Sequence, residues 1–388
     1  MNAPGASTRE AASETESPAD RDLPPSGSLL LVRHGEGRGR IPDYGGETLR
    51  YISRKRPELR RRIRLHHTGE DRASLRNIRA AVFWLADPLE ELYPECFAEA
   101  SEIADRVPRV VNPPRALSNS IKSRQARLWR DAGLPTPPSV PFGDREELEA
   151  RLTDLPYPVV IRPDLLHTES RMHLCRDPDE VRALEDDELV VPGTATRFVD
   201  VRQGYRTHLS HTLWADFYHK KRAFVVGGRV VPRHLFFSPR PFVRVGRSTL
   251  AAYDSIQGVL LDLVRDVPRW DRRLKLAARA QRLLPLTRLA RRSVRREVAF
   301  TEAAPERPGL FREAARVLGL GFLALDYSVR ADGEVVLWEA NPYPAATPWR
   351  KGLLPARRKL QARAERRHSA IADFFEDLLR VEGEGGTR

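Results

Sequence analysis

Three oxygen-bearing side chains, Asp326, Glu339 and Asn341, stand within LDYSVRADGEVVLWEANPYP, residues 325–344. Asp332-Gly333 lies between two runs rich in β-branched and aromatic residues. That is the pattern of a two-residue hairpin turn, because Asp and Gly tolerate the positive φ angles it needs. If Ala331 pairs with Glu334, then Val329 opposes Val336, Tyr327 opposes Trp338 and Asp326 opposes Glu339. Strand alternation puts Asn341 on the face of Glu339. Directly opposed Cβ atoms lie about 4.5–5.5 Å apart, and like charges there are destabilising. At an effective dielectric of about 20, two such charges some 4 Å apart repel by roughly 4 kcal/mol. Two carboxylates and an amide converging on one point are hard oxygen ligands that suit Mg2+, which removes the repulsion and commonly also holds substrate phosphates. A solvated strand face with the acids pointing apart would carry the same residues, so the hairpin alone leaves both readings open.

The cations sharpen the question. Of 66 Lys and Arg residues only seven are Lys, at positions 55, 122, 220, 221, 275, 351 and 359. Lys122 falls in the first turn of a helix, where the dipole disfavours a cation unless an anion is close, and helix N-termini are ready phosphate sites. A solvated surface lysine fits those residues equally well. Arg162 ends a strongly apolar strand, while Lys220 and Arg222 share one face of another. Three cations and three oxygen ligands on separate elements suggest a nucleotide with a metal. His34, His66, His67 and His234 show no ligand spacing and read as structural or surface residues.

These residues need elements to hold them. SLLLVR (28–33) reads as a first strand and AAVFWLA (80–86) as a second buried one, with PECFAEASEIADRV as a helix and PRVVN as another strand. The alternation predicts a parallel α/β layer. SNSIKSRQARLWRDAGLP (118–135) reads as a helix opened by a serine cap, with Ile121, Leu128 and Ala132 on one face, and stopped by Gly133 and Pro135. YPVVIRP is a strand, HTESRMHLCRD a hairpin and PDEVRAL a helix. TRFVDVR and YHKKRAFVVGGRVVPRHLFF are β-rich, the latter with a Gly227-Gly228 turn. An Arg-rich helical segment over 251–318 interrupts this β-rich part, and a basic amphipathic helix begins near Pro355.

In this order the motifs resemble the ATP-grasp superfamily over about residues 108–348, most specifically at Asp326 followed by DGEVVLWEANP. The resemblance implies an α/β (α+β) chain with an N-terminal pre-ATP-grasp α/β domain and a two-lobed ATP-grasp domain. The expected boundaries are a disordered tail 1–27, the N-terminal domain 28–115, a small lobe 116–195, a large lobe 196–350 containing the basic insertion 251–318, and a C-terminal helix and tail 351–388. It implies ATP and Mg2+ (or Mn2+) as cofactors, with Asp326, Glu339 and Asn341 as metal ligands. Lys122 corresponds to the ATP-phosphate lysine of NSIKSRQARLWRDAGLPTPP, Arg162 to the second phosphate-binding lysine, Lys220 to a nucleotide lysine and Arg222 to a catalytic arginine. Asp200, near the nucleotide hinge LVVPGTATRFVDV, is the candidate ribose ligand. Two departures stand out: Arg162 replaces a lysine, keeping charge but not a point-like ammonium, and the flap DLLHTESRMHLCRD has no glycine.

Composition bounds the rest. With 388 residues the chain is long enough for two or three domains. The first 27 residues lack the apolar core of a secretory signal, no stretch reads as a membrane span, and two cysteines, Cys96 and Cys175, fit a reducing cytoplasm. The net charge is +13, of which +10 lies between Arg265 and Arg296, so basicity is local and argues against nucleic acid as the partner. The resulting expectation is an ADP-forming ligase that phosphorylates a carboxylate to an acylphosphate and joins it to an amine or thiol. Its substrates are small-molecule or peptide carboxylates and amines, with an acidic macromolecule as a candidate partner for residues 265–296. A kinase without a ligation step, or a basic anion-binding protein keeping ATP as a structural ligand, remain the alternatives.

Overall fold

A computed structural model of the chain describes residues 27–34, 45–69, 75–85, 88–165, 171–202, 218–238, 241, 295–343 and 355–380. Their strands form three four-stranded sheets. The first is built from β1 (Ser28–His34), β2 (Ile63–Thr68), β3 (Ile78–Phe83) and β4 (Arg109–Val111), parallel throughout in the order β2-β1-β3-β4. Leu29 to Val32 are nearly inaccessible, as a parallel strand covered on both faces requires. Leu30 and Val32 join the core beneath the helix Pro94–Arg106, and Leu29 and Leu31 join the one beneath the helix Pro355–Leu379. The strand expected second is therefore third. IRLHHT, the true β2, pairs with β1 at the sheet edge and offers only Ile63 and Leu65 as apolar residues, Leu65 being exposed.

The second sheet comprises β5 (Ser139–Phe142), β6 (Val159–Pro163), β7 (His173–Cys175) and β8 (Gly193–Arg197), antiparallel in the order β5-β8-β6-β7. It closes its own core around Phe142, Leu148, Val159, Ile161 and Ala195. The strand expected at TRFVDVR lies earlier, over GTATR, because the pairing of β8 with β6 runs from Gly193 to Arg197. Cys175 and Cys96 are both buried and free, and burial pushes the Cys175 thiol up to about 11.

The third sheet holds β9 (Tyr218–Val226), β10 (Arg229–Ser238), β11 (Phe322–Val329) and β12 (Val335–Asn341), in the order β10-β9-β11-β12 and antiparallel at each junction. Gly227 and Gly228 both take positive φ, so this is the primed two-residue turn the sequence suggested. One face of the sheet packs Ala223, Val225, Leu323, Leu325 and Tyr327 toward the helix Pro308–Val317. The other packs Phe224, Val226, Phe322 and Ala324 against Ile371, Phe374 and Phe375 of the C-terminal helix. Each such large apolar side chain, fully buried, contributes about 1.5–3 kcal/mol. No helix among the described residues is long and apolar enough to cross a membrane.

Candidate active site

The apolar packing of that second face stops where the polar residues begin. Lys220 and Arg222 lie four and two residues before Phe224 on β9, and Asp326 lies two after Ala324 on β11, so all share the face. Lys221 points the other way. Only 1% of its side chain is exposed, its ammonium lies 2.5 Å from Glu306, and it sits 5.8 Å from the ring centroid of Tyr327.

The β11-β12 hairpin reaches the predicted opposition by a different route. Asp332 does not take positive φ; Gly333 alone does, at 83°. Gly333 N–H donates to the Arg330 carbonyl (3.0 Å) and Arg330 N–H to the Glu334 carbonyl (2.8 Å), which makes a three-residue loop ending in a left-handed glycine. Pairing near the turn is thus shifted by one: Val329 faces Val335, and Tyr327 faces Leu337 rather than Trp338. Trp338 is then an extra residue on β12, its indole donating to Ser328 Oγ at 2.7 Å. This bulge restores the register, and Asp326 stands directly opposite Glu339. Across the four strands the residues His234, Arg222, Asp326 and Glu339 therefore form one row.

Asp326 is 1% exposed and is held by two cations. The Arg222 guanidinium donates Nε to Oδ1 (2.5 Å) and Nη2 to Oδ2 (2.8 Å), and the Lys220 ammonium lies 3.1 Å from Oδ2. Burial opposes ionisation of Asp326 most strongly. Arg222 and Lys220 together outweigh it, and the carboxyl titrates below its ordinary range despite the facing Glu339. The repulsion expected between the two acids is answered within the protein by these cations.

The second sheet delivers the remaining candidates. Arg162 sits at the end of β6, half-buried, and burial lowers the pKa of its guanidinium while Glu339 and Asp164 oppose that shift. Asp164, two residues on, was not singled out from sequence. Its Oδ1 accepts from Ser123 N–H (2.7 Å) and its Oδ2 from the Ser123 hydroxyl (2.5 Å), while its carbonyl accepts from Lys122 Nζ at 3.2 Å. Asp164 thereby caps the helix Lys122–Asp131 from a distant strand. The expected serine cap does not form: the Ser118 hydroxyl donates to Glu91, the Ser120 hydroxyl to the Leu117 carbonyl, and residues 118–120 make a separate 3-10 turn. Lys122 is 5% exposed, well away from the solvated surface position that its residue type alone allowed.

The lysine helix is stapled to β12. Gln125 Oε1 accepts from Ala340 N–H at 2.8 Å, between Glu339 and Asn341, and Leu337 N–H donates to the Pro135 carbonyl at 2.8 Å just beyond the helix. Lys122 and Arg162 thus adjoin the β12 side of the row. Asn341 closes β12, opposite Ala324, on the face of Glu339. Asp200 does not join them in any contact described: it is paired with Arg202, two residues away, and that hydrogen bond lowers its pKa. The basic segment 265–294 and flap residues 166–170 lie outside the described residues.

Two carboxylates and an amide suit Mg2+ as a site completed by phosphate oxygens and water. Among the described residues no group of three or more His, Cys, Asp or Glu gathers as a metal centre. Both Asp326 oxygens are engaged by Arg222 and Lys220, so a divalent cation would take this carboxylate only after those two side chains turned away.

No protein-family model and no curated protein matches the sequence. Solved structures do match in fold. The structure of ATP-grasp ligase PsnB with precursor peptide PsnA2 and AMPPNP superposes with a TM-score of 0.50 at 14% identity, covering 92% of this chain and 98% of that one. The VanG D-Ala:D-Ser ligase from Enterococcus faecalis gives a TM-score of 0.51 at 13% identity, covering 91% and 100%. These matches run over nine-tenths of the chain and take in all three sheets: the chain has the ATP-grasp fold.

Proposed function

We propose that this protein is an ADP-forming ligase that phosphorylates a carboxylate with ATP and joins the acylphosphate to an amine or thiol. The observation that carries the reading is the row Arg222, Asp326 and Glu339 with Lys220 beside it, flanked by the buried Lys122 and by Arg162. Lys122, Arg162 and Lys220 orient the nucleotide phosphates, each a cation in a partly desolvated position where a phosphate contact is strong. A bound Mg2+ (or Mn2+) would be held by Asp326, Glu339 and Asn341 and would supply positive charge to neutralise the phosphates. Arg222 leaves Asp326 to stabilise the transferring phosphoryl group and the tetrahedral oxyanion that follows. Asp200 has a supporting part, at the ribose, once Arg202 releases it.

The substrate is a small-molecule or peptide carboxylate. The PsnB structure contains a precursor peptide, which supports a peptide as one form of that substrate. Two free buried thiols and a need for ATP support a cytoplasmic setting for this reaction. The test is an ADP-release screen of the full chain across carboxylates paired with amines. ADP release that needs both a carboxylate and an amine, and that disappears in Glu339→Gln, supports the reading. ADP release with a phosphorylated product and no condensed one contradicts it.

A further inference from the structure

β12 is an edge strand of its sheet, and its outer side is held by the lysine helix and the segment that leaves it. That segment takes the first part: the Pro135 carbonyl accepts from Leu337 N–H, and the Thr136 hydroxyl donates to the Leu337 carbonyl at 3.2 Å. Three residues on, the helix reaches β12 with a side chain, where Gln125 Oε1 accepts from Ala340 N–H at 2.8 Å. Ala340 belongs to the core that includes Leu325 and Leu337. Glu339 and Asn341, on either side of it, are half-buried on the opposite face.

On the helix Lys122–Asp131 the buried residues are Lys122, Gln125, Ala126 and Trp129, which recur at helical spacing and form one inward stripe. The face of Ile121, Leu128 and Ala132 suggested by the sequence is the more exposed one. Gln125 is 1% exposed, and a polar side chain so buried costs stability unless it is hydrogen-bonded. Its bond goes to the backbone between two candidate metal ligands. Trp129, one turn further along, donates its indole N–H to the Ala314 carbonyl at 3.0 Å, toward the helix Pro308–Val317 instead. Lys122 lies one turn before Gln125, so a single helix carries both a phosphate cation and the grip on the metal end of β12.

We propose that Gln125 is a positioning residue for the nucleotide site: it fixes the backbone between Glu339 and Asn341 at a set offset from Lys122, so that the groups for the metal ion and the groups for the phosphates keep one spacing. One anchor serves both ligands. Ala340 N–H belongs to the peptide that joins it to Glu339, and Asn341 follows directly, so a rotation of this unit would swing both side chains together. Residues that hold metal ligands in place commonly account for about tenfold to a hundredfold in metal affinity. That Glu339 and Asn341 receive a metal ion and Lys122 a phosphate rests on the ligase reading; that Gln125 joins their elements does not.

The test measures the affinity of the full chain for AMPPNP by calorimetry, once with saturating Mn2+ and once with EDTA, and takes the ratio of the two. Gln125→Met keeps the length and burial of the side chain but removes the acceptor. It should lower the ratio by about tenfold to a hundredfold through weaker binding with Mn2+, leaving the affinity in EDTA near that of the wild type. Gln125→Glu keeps an oxygen acceptor and should hold the ratio at or above the wild-type value. Trp129→Phe deletes another buried hydrogen bond of the same helix, so it should lower the melting temperature, as Gln125→Met does, yet leave the ratio unchanged. A merely structural Gln125 would behave like Trp129. Should Gln125→Met not fold, Gln125→Asn, one methylene short of Ala340, must lower the ratio. The proposal is overturned by an unchanged ratio in these acceptor-loss variants, by an equal fall in Trp129→Phe, or by a ratio in Gln125→Glu as low as in Gln125→Met. A wild type that does not bind AMPPNP, or binds it equally with Mn2+ and with EDTA, overturns both the metal site and this role for Gln125. A ratio that falls in Gln125→Met, in a chain that releases no ADP with any carboxylate and amine, would sink the ligase reading and leave the role of Gln125 standing.

Discussion

Asp326→Asn leaves Arg222 and Lys220, with side chains only 14% and 18% exposed, without the carboxylate they share. Removing one partner of a buried pair costs about 3–5 kcal/mol, and denaturant unfolding should show a loss of that order alongside lost ATP turnover. Glu339→Gln should also abolish turnover, yet change stability by no more than about 1 kcal/mol, since it removes both a repulsion with Asp326 and an attraction to Arg162. Equal destabilisation by the two substitutions would mean that the row does not share its charge as described. Lys122→Ala should weaken AMPPNP binding in calorimetry by about tenfold to a hundredfold, while Lys55→Ala and Lys359→Ala leave it unchanged. Much of this cluster was legible because strand alternation separates Lys220 from Lys221 and the hairpin register opposes Asp326 to Glu339. The burial of Arg233 and Arg367 was not legible. Arginines abound in this chain, ARRKLQARAERRHS alone holds five, and nothing local marks the one that turns inward. Asp164 had a signal that went unused: an acid one residue beyond a buried strand end.

At the scale of elements, the two hairpins of the third sheet show what turn chemistry does and does not specify. Gly-Gly gave the expected two-residue turn, whereas Asp-Gly gave a three-residue loop with a compensating bulge at Trp338, so one offset cancelled the other before Asp326. The sequence carries no local mark of that bulge. Trp338 leaves the core face because its indole finds the Ser328 hydroxyl, a tertiary choice. The Gly227-Gly228 turn tucks under the C-terminal helix. A Cβ at Gly227 would fall 2.3 Å from Phe374 Cδ2 in a left-handed conformation, while one at Gly228 meets open space. Gly227→Ala should therefore cost about 1–3 kcal/mol from overpacking beyond the roughly 1–2 kcal/mol of left-handed strain that Gly228→Ala also carries. Melting temperatures of the two variants decide this, and a smaller loss for Gly227 would contradict the packing of helix Pro355–Leu379 on this sheet. The lysine helix was misjudged at its start for a similar reason: its cap comes from Asp164, 41 residues beyond Ser123.

For the whole molecule, the parallel layer, the antiparallel sheets and the terminal helix could be read from periodicity, but not how they join. Asn112, in the left-handed region at the end of β4, ties the first sheet to the third by donating to the Phe322 carbonyl and accepting from Phe322 N–H. Buried histidines record the same assembly. Burial, with Lys221 acting on His219 and Arg367 on His368, takes both imidazoles down to about 3, so both are neutral in the folded state. The unfolded chain protonates them near pH 6.5, so stability should fall as pH drops from about 6.5 toward 3, by about 1.4 kcal/mol per pH unit for each histidine. Urea midpoints at pH 7, 6 and 5 measure the slope, which His368→Gln should reduce by one histidine's share; a flat profile would place these rings in water. The chemistry itself is tested most directly by trapping with hydroxylamine, incubating the full chain with Mg-ATP and a panel of carboxylates and peptides. The account predicts ADP and a hydroxamate in equal amounts, since an acylphosphate formed between Arg222 and the Asp326–Glu339 pair is captured by the added amine. ATP consumption that yields a stable phosphorylated product and no hydroxamate, or no ADP with any carboxylate, would contradict it.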